Sequence, residues 1–524
     1  MKFGISNLRR LRETELVNIK PITLLVGRNS GGKSTFLRSF PLIRQSIQTR
    51  TSSPILWFGD LVDFGSLDDA ISKDSDRNYI RFSFEDDVHI SSRQRYYYNQ
   101  AGEPIFHPAQ RGVLSGLRYE VDVAPFQSKN RLSRIFIQAE NIGNSIELLM
   151  SDNGLVEKVL IAGIDAQEYL GAQRIDIATD ALFPLAKFVK RSSGKENSSP
   201  WYGFPGDDMS PTLFNFLRTR IDGRVRDQTL RALSDRIIIS GLPTKRTVSR
   251  ALTGQGKIVR EKLNKILSSK GPDNSELMII LSIANIPSLL RDISDHFRRN
   301  LSATLYIGPA RARSERYYRY QDLAVNEIDP DGKNFPMFLN SLTKSRQDSF
   351  SKWVESLYGY SVSVSQRSGH ISITLTDRHV EANIVDVGYG ISQVLPVLGQ
   401  IWWAREKSSV RSDSTTIPIL AIEQPELHLH PAHQAILADA LAQSLRDPAS
   451  KEDTSKIRFL IETHSEVLIN RLGRMISDGE ISSEDVQIIL FEPADGGKHT
   501  KIRSAHYDKN GVLVDWPYGF FQPN

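Results

Sequence analysis

The segment Gly27-Arg28-Asn29-Ser30-Gly31-Gly32-Lys33-Ser34 fits G-x-x-x-x-G-K-[ST], and Thr35 follows it. This pattern constrains the fold more than any other stretch, because it requires a strand before it and a helix after it. Residues 22–26 are a short apolar run with β-branched members, which predicts a buried parallel strand. Residues 36–43 carry helical apolar periodicity, with a bend expected at Pro41. Between strand and helix, glycines let backbone N–H groups converge on phosphate oxygens, and the helix N-terminus adds partial positive charge. Asn29, Ser30, Gly31, Gly32, Lys33, Ser34 and Thr35 are therefore the candidate nucleotide-binding residues. Lys33 reaches the β- and γ-phosphates, and the Ser34 hydroxyl is a Mg²⁺ ligand.

Composition excludes several alternatives. With no cysteine in 524 residues, disulfides, thiolate nucleophiles and Cys-ligated zinc are ruled out. A charged fraction of 24% is ordinary for a globular chain, and a net charge of +5 does not by itself imply nucleic acid. The first ten residues lack the apolar core of a signal peptide. The longest apolar run, at 277–290, reads as too short and interrupted to span a bilayer. A cytoplasmic protein without membrane contact is expected.

Further along, residues 57–67 are aromatic and glycine-punctuated and read as a loop or short strands near the nucleotide. Strand-like runs at 79–84 and 132–138 predict an antiparallel sheet. Residues 190–210 read as an exposed loop. From 211 to 300 the pattern is helical, and positive charge gathers there. Lys245, Arg246, Arg250, Lys257, Arg260, Lys262, Lys265 and Lys270 face a single acid, Glu261. Two readings stand: a surface for nucleic-acid phosphates, or a solvated or protein-binding helical face. Residues 360–365 and 370–376 pair as a hairpin around Gly369.

Three later stretches bear on chemistry. Gly388, Gly390, Ser392 and Gln393 open a helix, a second phosphate-facing N-terminus. Residues 416–422 predict a buried strand, ending in Glu423-Gln424-Pro425-Glu426. Ligands of open α/β sheets bind at such strand ends, where Glu423 can hold hydrated Mg²⁺ beside Ser34. Residues 458–461 form another strand and lead to Glu462-Thr463-His464-Ser465. His428, His430 and His433 lie close in sequence, which suits either a zinc site or a dimer-contact loop.

In this order the stretches resemble the P-loop, signature, Walker B, D-loop and switch histidine of ATP-binding-cassette ATPases of the SMC-like and OLD-like branch. The resemblance covers roughly residues 1–110 and 300–524. It is similar in closer detail to the ATPase subunits of Septu-type anti-phage defence systems, including retron-associated versions. The phrases carrying that likeness are residues 387–396, 422–431 and 462–465 and the ending 516–521. The resemblance implies an α/β ABC-type head, a mixed sheet flanked by helices with an antiparallel β subdomain and a largely helical insertion. It divides the chain into 1–110 and 301–524 as the two head parts, 111–210 as a β-rich and loop insertion, and 211–300 as a basic helical arm.

By the same resemblance, Glu423 takes the Walker B place with Ser34 at the metal, and Gln424 stands where the family carries its catalytic Glu. Gln cannot accept a proton but can orient water, so hydrolysis is slow or depends on Glu426. His464 looks like the switch histidine that senses the γ-phosphate. Gly388, Gly390 and Ser392 look like the signature loop, which acts in trans on ATP held by a second subunit, implying a head-to-tail homodimer. The stretch after His464 reads as too short for an OLD-type nuclease domain. An HNH-type nuclease subunit is thus the implied partner, with a reverse transcriptase and its RNA–DNA hybrid in retron versions. Three functions follow: an ATPase gating a bound nuclease, a nucleotide-bound scaffold that hydrolyses little, and a RecF-like DNA repair clamp.

Overall fold

The computed structural model describes all residues except 74, 91–94, 99–103, 108–111, 128, 172, 191–208, 240–243, 323–324, 378–379, 411–415, 446–456 and 518–524. The loop expected at 190–210 and most of the aromatic ending lie outside the described residues. The chain divides into two compact units, one of Leu8–Gln48, Trp57–Ser75 and Asn300–Asn524, the other of Met1–Asn7, Thr49–Leu56 and Asp76–Arg299.

The first unit is built on a seven-stranded sheet. In chain order its strands are β1 (Ile22–Gly27), β2 (Leu305–Ile307), β3 (Ile419–Glu423), β4 (Arg458–Glu462), β5 (Val486–Ala494), β6 (His499–Tyr507) and β7 (Leu513–Val514). Their spatial order is β2-β3-β4-β1-β5-β6-β7. The first five run parallel and the last two are antiparallel. Every residue of β1 and β3 is buried, as continuous apolar runs require in a strand covered on both faces. Helices α1 (Lys33–Gln48), α2 (Tyr389–Val410), α3 (Pro431–Leu445) and α4 (Glu466–Ser477) complete the layers. Helix α1 packs over β3 and β4, and Phe36 meets Phe491 of β5 with ring centroids 6.0 Å apart. It continues through Pro41 to Gln48. The unit is thus an α/β fold, a mixed sheet flanked by helices, as the motifs led one to expect.

The strands Tyr360–Arg367 and His370–Asp377 form the expected hairpin. Its turn residues Ser368 and Gly369 have φ of 49° and 75°, the paired positive values of a two-residue hairpin turn. Residues 57–66 hold little regular structure, with one bridge between Phe58 and Asp63. The Gln45 side chain clasps this segment through the N–H and C=O of Val62.

The second unit is an antiparallel sheet beside a helical layer. Its sheet runs Ile164–Asp165, Val156–Ile161, Ile146–Met150, Lys129–Gln138, Gly112–Phe126, Ile80–Ile90 and then residues 2–7. Residues 76–110 therefore cluster here, whereas the motif order grouped them with the head. The long pairing of Ile80–Ile90 with Gly112–Phe126 holds them. The helical layer holds Ser210–Arg220, Asp227–Ile239, Lys245–Ala251, Lys257–Ser268 and Pro272–Ser302.

The helix Pro272–Ser302 corrects one expectation. By length and composition it is apolar enough to cross a bilayer, but 89% of its most apolar window is buried inside the protein. It is the core helix of this unit. Phe297 stacks between Phe84, Phe183 and Tyr119, with centroids 5.0, 5.6 and 6.1 Å away. The buried Tyr119 hydroxyl finds a partner in the Leu182 carbonyl at 3.0 Å. Phe297→Ala should cost about 3–5 kcal/mol, the range for a fully buried aromatic cut to alanine. A urea melt followed by circular dichroism checks it, with a lowered midpoint and an unchanged folded baseline expected.

Candidate functional site

Parallel register fixes the site. Glu423 pairs with Glu462, Glu462 with Leu25, and Phe491 with Gly27, so β3, β4, β1 and β5 end along one sheet edge. The Gln424 N–H donates to the Glu462 carbonyl at 2.8 Å, and the Thr463 N–H to the Leu25 carbonyl at 3.2 Å. The phosphate-binding loop leaves this edge. A Cβ at Gly27 would lie 2.5 Å from the Phe491 carbonyl oxygen, so close packing against β5 demands glycine. Ser30 and Gly32 turn the loop with φ of 60° and 89°. Arg28, Asn29 and Ser30 are exposed at its tip, while Thr35 is buried in the first turn of α1.

Lys33 is 3% exposed and lies folded along the loop. Its Nζ donates to the carbonyls of Gly27 at 2.9 Å and Arg28 at 2.8 Å, and lies 3.9 Å from Glu462. Burial pushes its ammonium below the usual lysine range, while Glu462 and Glu426 pull it back up.

The acids at the edge differ in their surroundings. Both oxygens of Glu423 are taken: Oε1 accepts from Arg38 Nε at 2.6 Å and the Tyr306 hydroxyl at 2.7 Å, and Oε2 from Arg38 Nη2 at 2.7 Å. Glu462 accepts from the Ser34 hydroxyl, and burial raises its carboxyl above the usual range. Burial also raises Glu426, whose Oε1 accepts the His464 N–H at 2.7 Å and which is also bonded by the Thr463 hydroxyl. Glu426 thereby shapes the turn that carries His464. The Oε2 atoms of Glu426 and Glu462 are buried with no hydrogen-bond partner among the described residues.

Gln424 has φ of 40°, and buried Arg311 holds the turn by donating Nη2 to the Glu423 carbonyl at 3.1 Å and the Gln424 carbonyl at 3.4 Å. His464 is exposed, and desolvation together with the charge of Lys33 holds its imidazole below the ordinary value. Lys33, Ser34, Gln424, Glu426 and His464 thus come together through direct contacts or shared electrostatics. Glu462, Arg38, Tyr306 and Arg311 join them, and the motif reading passed over all four. The signal for Glu462 was present, since it ends a strand as Glu423 does. Arg38 and Tyr306 have no local signature, because their roles depend on packing across the sheet.

Gly388, Gly390 and Ser392 open α2, and Gly390 packs against the turn after β3. Gly388 is exposed with φ of 108°, a Cβ at Gly390 would lie 2.9 Å from the His428 carbonyl oxygen, and Ser392 is 5% exposed. His430 and His433 rings stand 6.5 Å apart, and no group of three metal-ligating side chains forms among the described residues.

In the second unit the basic helices are amphipathic. Val259, Leu263, Ile266 and Leu267 are buried, while Lys245, Arg246, Arg250, Lys257, Arg260, Lys262, Lys265 and Lys270 are all exposed. Among the described residues only Lys257 of these meets a carboxylate, Glu261 at 3.8 Å. Three arginines upstream behave differently: Arg218 binds Asp227, Arg220 binds Asp273 and Glu276, and Arg224 binds Asp222.

A buried lysine over two loop carbonyls, a serine hydroxyl on a carboxylate and two unsatisfied carboxylate oxygens suit a nucleoside triphosphate with a divalent cation. Magnesium supplies charge neutralisation on the β- and γ-phosphates when bound. Residues 232–469 match the family model described as AAA ATPase domain. The chain carries an ATP-binding ATPase domain. The matched span takes in Gly388, Glu423, Gln424 and His464 and begins after the phosphate-binding loop. No curated protein matches the chain. Among solved structures it is similar to an SmcHead bound to the C-winged helix domain of ScpA, at 12% identity and TM-score 0.31, over 97% of this chain and 98% of that one. It is also similar to an Smc head domain with an extended coiled coil, bound to the C-terminal domain of ScpA derived from Pyrococcus furiosus. That match has 12% identity and TM-score 0.30, over 96% and 95% of the two chains. The SMC head domain from Thermotoga maritima matches at 9% identity and TM-score 0.31, over 96% and 97%.

Lys33→Ala should weaken ATP binding at least about 100-fold, since charge-assisted hydrogen bonds contribute roughly 1.5–3 kcal/mol each. A fluorescent-nucleotide titration measures it. Unchanged affinity in a folded variant would remove Lys33 from the site.

Proposed function

We propose that this chain is an ABC-type ATPase subunit whose nucleotide state regulates a partner nuclease in an anti-phage defence complex. The observation that carries the nucleotide part is the convergence of Lys33, Ser34, Glu462, Glu426 and His464 at one sheet edge. The defence role and the HNH-type partner rest on the sequence resemblance to Septu-type systems, as does a reverse transcriptase with its RNA–DNA hybrid. Gly388 and the exposed His428 turn stand on the outside of the head, available to a second copy of the chain; this supports the head-to-tail homodimer. Co-purification from the native host, with and without ATP, tests the partner assignment. A nuclease recovered with the wild type and released by a change of nucleotide state supports it.

A second reading is favoured by Gln424, that ATP binding rather than turnover sets the state. Its carboxamide has no basic oxygen to take a proton from water, and Arg311 fixes its backbone. Gln424→Glu should raise the ATPase rate by roughly 10²-fold, the lower range for a general base. Phosphate release in steady state measures this. A rate that does not rise would show that turnover is limited elsewhere, and would count against Gln424 as the brake.

The exposed cations of residues 245–270 support nucleic acid as a further contact of this subunit. Replacing Lys257, Arg260, Lys262 and Lys265 together with Glu should abolish binding whose logarithm falls linearly with log salt, the mark of phosphate contacts. ATP affinity should be unchanged. Fluorescence anisotropy on single-stranded, duplex and hybrid probes reads this out, and a wild-type salt slope in the variant would leave the face to solvent or protein.

A further inference from the structure

Glu423 and Glu462 are register partners at the ends of adjacent parallel strands, so two carboxylates reach the same edge beside the phosphate-binding loop. Walker B logic selects Glu423 as the metal carboxylate. Its surroundings oppose that. The Arg38 guanidinium grips both oxygens with two short hydrogen bonds, and the Tyr306 hydroxyl adds a third. A divalent cation would have to displace the guanidinium or stand beside it, and like charges repel across that distance.

Glu462 has the opposite character. It is 3% exposed, and among the described residues no guanidinium hydrogen-bonds to it, the Arg38 charge acting on it only through space. Its described partners are the Ser34 hydroxyl and, at 3.9 Å, the Lys33 ammonium. Its Oε2 is buried and has no hydrogen-bond partner among the described residues. A buried anionic oxygen left without a donor is costly unless a cation completes it. Ser34 is the hydroxyl that such loops present to Mg²⁺. We propose that Glu462, rather than Glu423, is the carboxylate this chain brings to the magnesium ion of a bound nucleotide, beside Ser34, and that Glu423 is a positioning residue that fixes Arg38 and Tyr306. The inference rests on the ATP-binding reading above and adds to it which strand supplies the acid.

The test separates the two. Affinity for a fluorescent ATP analogue is measured in EDTA and in Mg²⁺, and Mn²⁺ binding in the presence of ATP is followed by electron paramagnetic resonance. The variants are the near-isosteric Glu462→Gln and Glu423→Gln, with Glu462→Asp retaining a carboxylate. Glu462→Gln should keep the metal-free affinity of the wild type, lose at least about tenfold of the Mg²⁺-dependent gain and release most of the bound Mn²⁺ signal. Glu462→Asp should recover part of both. Glu423→Gln should keep the Mg²⁺-dependent gain and melt at a lower temperature. If Glu462→Gln changes the EDTA and Mg²⁺ affinities by one common factor, Glu462 only supports the loop and the assignment fails. Loss of the metal-dependent gain in Glu423→Gln alone overturns it in favour of Glu423. A wild type that binds no nucleotide in either condition overturns the ATP-binding reading itself, which the other failures leave standing.

Discussion

Strand β1 hydrogen-bonds in parallel to β4 on one side and β5 on the other, and the site depends on that pairing. Parallel register makes all three strands, and β3 beyond them, end in the same direction. Residues far apart in sequence are therefore delivered to one edge: the loop at 27–34, the turn at 423–426 and the turn at 462–464. The glycine at position 27 is a consequence, since the carbonyl of Phe491 occupies the space a side chain would take. Ligands of open α/β sheets bind at such strand ends, which is why chemistry collects there.

The electrostatics of the edge follow from crowding charges at low exposure. Lys33, Glu423, Glu426 and Glu462 are all nearly inaccessible. Removing charges from water is unfavourable unless each finds a partner. Glu423 finds one in Arg38, and Lys33 in two backbone carbonyls. Glu426 takes the backbone of His464. Glu462 is left with one oxygen unsatisfied, together with Glu426.

The second unit shows a different use of charge. The arginines at 218, 220 and 224 are tied to carboxylates within the unit, whereas seven of the eight basic residues from 245 to 270 have no carboxylate partner among the described residues. Composition alone does not separate these groups, as both read as basic helical sequence. Pairing decides which charges are neutralised in place and which retain a field at the surface.

The sequence by itself determined the strand–loop–helix of residues 22–48, the strand ahead of Glu423, the strand ahead of Glu462, the hairpin around Gly369 and the helical character of 211–300. Each of these is a local matter of apolar period, glycine placement and strand-end polarity. Tertiary structure decided the rest. It placed residues 76–110 with the antiparallel sheet, because strand pairing acts across distance and leaves no local signature. It buried the helix Pro272–Ser302, which is long and apolar enough to cross a membrane, against Phe84, Tyr119 and Phe183. It also distinguished two glutamates that look equivalent as strand ends. Arg38 lies 385 residues from Glu423 in sequence, and only the packing of α1 over β3 and β4 brings its guanidinium to one acid and leaves the other to Ser34 and Lys33.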